Sequence, residues 1–133
     1  YAVARAAVEA GRAVFVEKPM TMTVADAREL ATAVERRGTL LTVGFNRRFS
    51  PHAARLKELL DPIASTRSLV YRVNAGALPP EHWLLDPAEG GGRLLGEGVH
   101  FFDMLRFLAG AEPVRVRSNL NNGLKRLPVR LGR

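Results

Sequence analysis

The sequence predicts an α/β fold, one parallel layer followed by the start of a second open-sheet unit. Two observations carry this. Helix-like and short apolar segments alternate with tight joints over residues 1–45. After Phe45 the texture changes to polar turns, one alternating segment, a long loop and one strongly apolar helix. At 133 residues the chain is long enough for one continuous core.

Tyr1–Ala10 is Ala-rich, with Val3, Ala6, Ala7 and Ala10 at helical spacing, and Gly11 is its stop. Its uncapped opening at Tyr1 reads as a segment of something longer. Ala13–Val16 is a short continuous apolar run, the pattern of a strand buried on both faces, closed by Pro19. Thr23 is placed as the N-cap of a second helix, with Asp26 three residues on as its box partner. Leu30, Ala33 and Val34 face inward and Gly38 ends the helix near Arg37. Leu40–Phe45 is the second buried strand.

Asn46-Arg47-Arg48-Phe49 is a polar turn, and Ser50 caps a helix that starts on Pro51 and runs to Leu60. Asp61-Pro62 breaks it. Ser65–Val73 alternates and predicts a strand covered unequally on its two faces. Asn74–Gly92 is a long loop with three prolines, the only tryptophan (Trp83) and Gly90-Gly91-Gly92. Loops of that length in a compact domain are commonly functional. The three glycines lack a preceding strand and a G-x-G-x-x-G spacing, so they predict a hinge or close approach rather than a phosphate loop. A helix follows over Arg93–Ala109, ended by Gly110, then a strand over Val114–Leu120.

Composition excludes several function classes. There is no cysteine, hence no disulfide scaffold, thiolate metal site or cysteine nucleophile. His52, His82 and His100 are too scattered for a metal motif, so no metal site is expected. No apolar run reaches the ~18 residues of a membrane span, and no signal-peptide pattern opens the chain. A cytoplasmic protein is the expectation. The net charge of +7 is concentrated: residues 115–133 hold six basic side chains and no acidic one, leaving a net of +1 elsewhere. A basic tail without interleaved aromatics gives no nucleic-acid signature, and a solvated end is the plainer reading.

Two elements could carry chemistry. On the 93–109 helix, Leu94, Leu95, Val99, Phe101, Phe102, Leu105 and Leu108 cover most of the circumference and predict burial on several sides. Arg93, Glu97, His100 and Asp103 form one ionisable stripe within about 120° of arc. That stripe is either a solvated face or a cleft wall in which His100 moves a proton beside a carboxylate. Gly96 and Gly98, flanking Glu97, would admit a close neighbour. The second element is Glu17-Lys18-Pro19, at the carboxyl end of a buried strand, where parallel α/β sheets bind ligands. Lys18 is one of three lysines among twenty basic residues. It is either an exposed strand end or a cation that polarises a substrate oxygen. Lys18–Pro19 is a candidate cis bond.

Three motifs in order, Glu17-Lys18-Pro19-Met20, then Val43-Gly44-Phe45-Asn46-Arg47-Arg48-Phe49-Ser50-Pro51, then Gly90-Gly91-Gly92 with His100-Phe101-Phe102-Asp103 seven residues on, resemble the Gfo/Idh/MocA family. These are NAD(P)-dependent oxidoreductases of sugars, inositols and related polyols, and the resemblance covers the chain to about residue 118. It implies that residues 1–45 are the C-terminal portion of a Rossmann domain, whose glycine fingerprint would precede Tyr1. Residues 46–133 would open the substrate-binding and oligomerisation domain, an α/β (α+β) open sheet, with the tail 119–133 outside the likeness.

The resemblance implies NAD or NADP as cofactor, a small sugar or polyol as substrate, and a homo-oligomer as the full-length protein. It assigns Lys18 to the nicotinamide ribose and substrate hydroxyl, and His100 to the hydroxyl proton. Many members carry Asp four residues before this histidine; here that position is Gly96, and Glu97 beside it is the candidate replacement. Glu17, Pro19, Asn46 and Arg47 fall on the cofactor side, and Arg72, Asn74 and Asp103 on the substrate side. On this reading the 133-residue chain alone is inactive. The alternative is a truncated, non-catalytic paralogue serving as an oligomerisation module.

Overall fold

A computed structural model describes residues 1–118 of the chain. The order is α1 (Ala2–Glu9), β1 (Val14–Val16), α2 (Val24–Arg37), β2 (Leu41–Val43), a 3-10 turn (Asn46–Phe49), α3 (Pro51–Leu60), a second 3-10 turn (Trp83–Leu85), a π turn (Leu94–Gly98) and α4 (Val99–Ala109). The strands β1 and β2 pair in parallel, Val14 opposite Leu41 and Val16 opposite Val43. This is the α/β crossover expected of the first 45 residues.

Local chemistry sets the ends of these elements. The Thr23 hydroxyl accepts from the amide of Asp26 at 3.1 Å and donates to its carboxylate at 2.8 Å. Gly38 and Gly110 close α2 and α4 at φ of +62° and +66°, a conformation that favours glycine. Ser50 caps α3 through the Ala53 amide at 3.2 Å, with Pro51 in the first turn.

One cluster closes the first half: Ala4 and Val8 of α1 against Leu30 and Ala33 of α2, with Val14, Met20, Val34 and Leu41 packed around them. Leu30 and Val8 are fully buried. The second half has a smaller cluster, Ala53, Met104 and Leu108, with Leu60, Leu69 and Phe107 against it. Arg67 fastens this half by donating to the backbone carbonyls of Leu60, Ile63 and Leu108.

Four expectations need correction. The strands are covered on one face only. Val14 and Leu41 meet the helices, while Phe15, pointing the other way, is 68% exposed because no described element packs there. Residues 65–73 form no strand, since a strand needs a ladder partner and none lies alongside among the described residues. Val70 and Val73 accordingly stand exposed. Residues 114–118 are likewise irregular, with Val114 and Val116 exposed; the rest of that predicted strand and the tail 119–133 lie outside the described residues. Finally, the last helix inverts part of its expected burial. His100 and Asp103 are buried with Met104 and Leu108, whereas Leu94 and Phe102 are exposed. Of the polar stripe, Asp103 pairs with Arg48 of the 46–49 turn and His100 meets Phe45, whereas Arg93 and Glu97 pair with each other; on the apolar side Leu94 and Phe102 stand exposed, Phe101 stacks on Tyr71 and Leu108 joins the core.

Candidate active site

The parallel register places the ends of β1 and β2 side by side. The Gly44 amide donates to the Val16 carbonyl at 2.8 Å, so Glu17, Lys18 and Phe45 emerge at one edge. Gly44 lies close against the Glu17 side chain: a Cβ there would lie 2.9 Å from an oxygen of Glu17 and 3.1 Å from its carboxyl carbon, so that exposed carboxylate would have to shift. The Lys18–Pro19 bond is cis. From that edge the Lys18 ammonium donates to the carbonyl of Gly96 inside the π turn. Single π turns within α-helices recur at functional sites.

The contact brings Lys18 to the helical turn before His100. The His100 ring meets Phe45 edge-on, centroids 6.2 Å apart at 77°. Its residue is 7% exposed, and Nδ1 is buried without a hydrogen-bond partner. Burial is the main reason its pKa is lowered; the Arg47 and Lys18 charges act in the same direction, opposed by Asp103 and Glu17. The imidazole is therefore neutral at neutral pH and available to take a proton.

Asp103 stands on the same buried side, 4% exposed. Arg48 takes both its oxygens, Nε at 2.9 Å and Nη2 on the other. The Arg48 guanidinium also lies over Phe107, 5.3 Å from the ring centroid. Arg47, its neighbour, is exposed and lies 4.8 Å over the Phe101 ring, which stacks on Tyr71 at 4.9 Å.

The sequence-predicted residues divide into two groups. Glu17, Lys18, Pro19, Arg47, His100 and Asp103 converge, the charged ones all bearing on the imidazole. Asn46 is exposed at the start of the 3-10 turn beside them. Glu97 goes elsewhere: its carboxylate pairs with Arg93 at 3.3 Å and lines a 360 Å³ cavity with Val73, Phe101 and Phe102 that His100 does not line. Arg72 and Asn74 are exposed on the irregular segment. Sequence reasoning missed Arg48, Phe45 and Tyr71 as supports and Leu84 as a neighbour of Gly96. A second arginine beside Arg47 was the only visible hint of the Arg48 pair.

A second cavity, 430 Å³, adjoins the same edge and is walled by Pro19, Met20, Met22, Phe45, Leu95 and Val99. Two of its walls meet Gly91, where a Cβ would lie 2.7 Å from Leu95 Cδ1 and 3.0 Å from Met22 Cε. An apolar slot with a few polar groups at its rim is the form small-ligand sites take. No helix among the described residues is long and apolar enough to cross a membrane.

Comparison with known proteins agrees with this geometry. Residues 1–45 match the oxidoreductase family's NAD-binding Rossmann fold, which bears out the NAD(P) expectation, and residues 56–129 match a GFO/IDH/MocA C-terminal domain. The chain is 34% identical over 109 residues to an inositol 2-dehydrogenase of Rhizobium meliloti, covering 80% of this chain and 32% of that protein. It is 38% identical over 115 residues to a 1,5-anhydro-D-fructose reductase of Ensifer adhaerens, covering 81% and 34%. Among solved structures it resembles an aldose-aldose oxidoreductase from Caulobacter crescentus complexed with glycerol, with a TM-score of 0.66, 28% identity, and coverage of 84% and 34%. The chain thus spans about a third of the length of the relatives it matches. Motifs, crossover and domain matches together make it a member of the Gfo/Idh/MocA oxidoreductase family.

Proposed function

We propose that this chain supplies the nicotinamide-facing side of an NAD(P)-dependent dehydrogenase that oxidises a hydroxyl carbon of a sugar or polyol, inositol-like rings included. The observation that carries the reading is the Lys18–Gly96 contact. It joins residues 78 positions apart and sets an ammonium beside the turn that precedes a buried, neutral imidazole. The inositol and anhydro-sugar names of the relatives support a ring-form polyhydroxylated substrate.

The residues fit the cofactor's reactive end. The slot walled by Pro19, Met20, Phe45, Leu95 and Val99 suits a flat, weakly polar ring, and Lys18 stands at its edge. When bound, the nicotinamide supplies the hydride acceptor. Lys18 stabilises the charge that develops on the substrate oxygen. His100 takes the hydroxyl proton; with Nδ1 buried, Nε2 is the receiving atom. Arg47, steadied on Phe101 and Tyr71, orients polar groups of cofactor or substrate, with Asn46 beside it. Asp103 acts from beneath, through Arg48 and through its charge on the imidazole. Glu17 contributes the same sign of charge from the edge of the sheet. Arg72 and Asn74 are the substrate-side candidates, and Glu97 serves the Arg93 cavity instead of His100.

The test is nicotinamide reduction by the polypeptide that carries this chain, against a panel of cyclic and open-chain polyols. Turnover is expected, and His100→Gln and Lys18→Met are each expected to lower kcat by about 10²- to 10⁴-fold. Full activity in either variant, or no reduction with any polyol, contradicts the reading. The second outcome would favour the oligomerisation module.

A further inference from the structure

Position 96 carries no side chain, yet the space beside it is filled. A Cβ on Gly96 would lie 2.1 Å from Cδ1 of Leu84 and 3.3 Å from its Cγ. Leu84 is 5% exposed and delivered by a well-fixed turn. Its amide donates to Nδ1 of His82 at 3.1 Å, and the Leu85 amide donates to the His82 carbonyl at 2.8 Å. Gly90 fixes it from behind, since a Cβ there would lie 2.3 Å from the Cα of Leu84. Two glycines thus admit one leucine against the π turn.

Residues four apart on a helix share a face, so position 96 looks toward the ring of His100. Burial leaves Nδ1 of that ring without a partner. A base histidine is ordinarily oriented by an acceptor on its far nitrogen. Two of the nearby carboxylates are committed elsewhere, Asp103 to Arg48 and Glu97 to Arg93, and Glu17 is exposed at the strand edge.

We propose that Leu84 is a positioning residue for His100, an apolar plug that stands where a carboxylate partner of the imidazole would otherwise stand and keeps Nδ1 dry. The proposal rests on the reading of His100 as the base. The chain then uses a solitary imidazole whose proton affinity is lowered first by burial and then by the Arg47 and Lys18 cations, against the more weakly acting Asp103 and Glu17. Such a base releases its proton readily once the hydroxyl has given it up.

The test is an NMR titration of the ring signals of His100 in the labelled full chain. It needs neither cofactor nor substrate, so it stands apart from the dehydrogenase assay. In the native chain His100 is expected to titrate below the ordinary histidine value. Leu84→Ala admits water and raises its midpoint by roughly half a unit. Leu84→Ala combined with Gly96→Asp supplies the missing partner and raises it by roughly one unit or more, a tenfold gain in proton affinity. If the alanine variants fail to fold, Leu84→Val withdraws only the terminal reach and gives a smaller rise of the same sign. An unchanged midpoint in the folded variants overturns the proposal. So does a full rise with Gly96→Asp alone, which would show that Leu84 does not hold the space.

Discussion

Residues 1–45 and residues 46–118 hold together by different means. In the first part, α1 and α2 close over the parallel strands with an all-apolar cluster, and caps at Thr23 and Gly38 finish α2. Its polar contacts, Arg5–Glu29 and Glu9 with Arg36 and Arg37, lie on the surface, where solvent screening leaves them little to add. In the second part a smaller cluster is supplemented by long-range polar bonds, the Arg48–Asp103 fork and the three carbonyls under Arg67. Local, apolar assembly makes the platform, and the part that carries His100 is held by charges, of which Asp103 also acts on the imidazole.

Substitutions can break that contrast. Leu30→Ala, in the fully buried centre of the first cluster, is expected to cost about 3–4 kcal/mol in denaturant unfolding. Hydrogen exchange should lose protection in α1 and α2 before α4. Asp103→Ala strands a guanidinium that is still partly solvated, so about 3 kcal/mol is expected, with the loss confined to α3 and α4. Thr23→Ala removes one cap and should cost about 1 kcal/mol, again in the first part only.

The smallest effect is one of pH. Because the folded pKa of His100 is lowered, the unfolded chain binds that proton first. Stability is present above the ordinary histidine value and is lost as pH falls through it toward the lowered one. Urea melts stepped down from about pH 7.5 to about pH 5 should show the decline, and His100→Gln should flatten it.

Much of the platform was legible because its signals are local. Thr23 with Asp26, Ser50 with Pro51, and glycines at 38 and 110 each act within a few residues of themselves. Lys18 and His100 were legible as types in informative places. Their meeting was not, because it runs through a backbone carbonyl that exists as a contact only once the helix holds a π turn. The strand over 65–73 failed for the complementary reason. Alternation describes a chain suited to a sheet, while pairing depends on a neighbour that no local pattern supplies. Glu97, three residues before His100, was the expected partner of that histidine, yet Arg93 at i−4 claims it.

The proposal that Lys18 and His100 serve one reacting hydroxyl is open to a double-mutant cycle on kcat/KM, with Lys18→Met, His100→Gln and the pair together in the polypeptide that carries this chain. Groups acting as a unit are strongly non-additive. The double variant is expected to lose little more than the worse single one. Losses that multiply, as for independent sites, would contradict it.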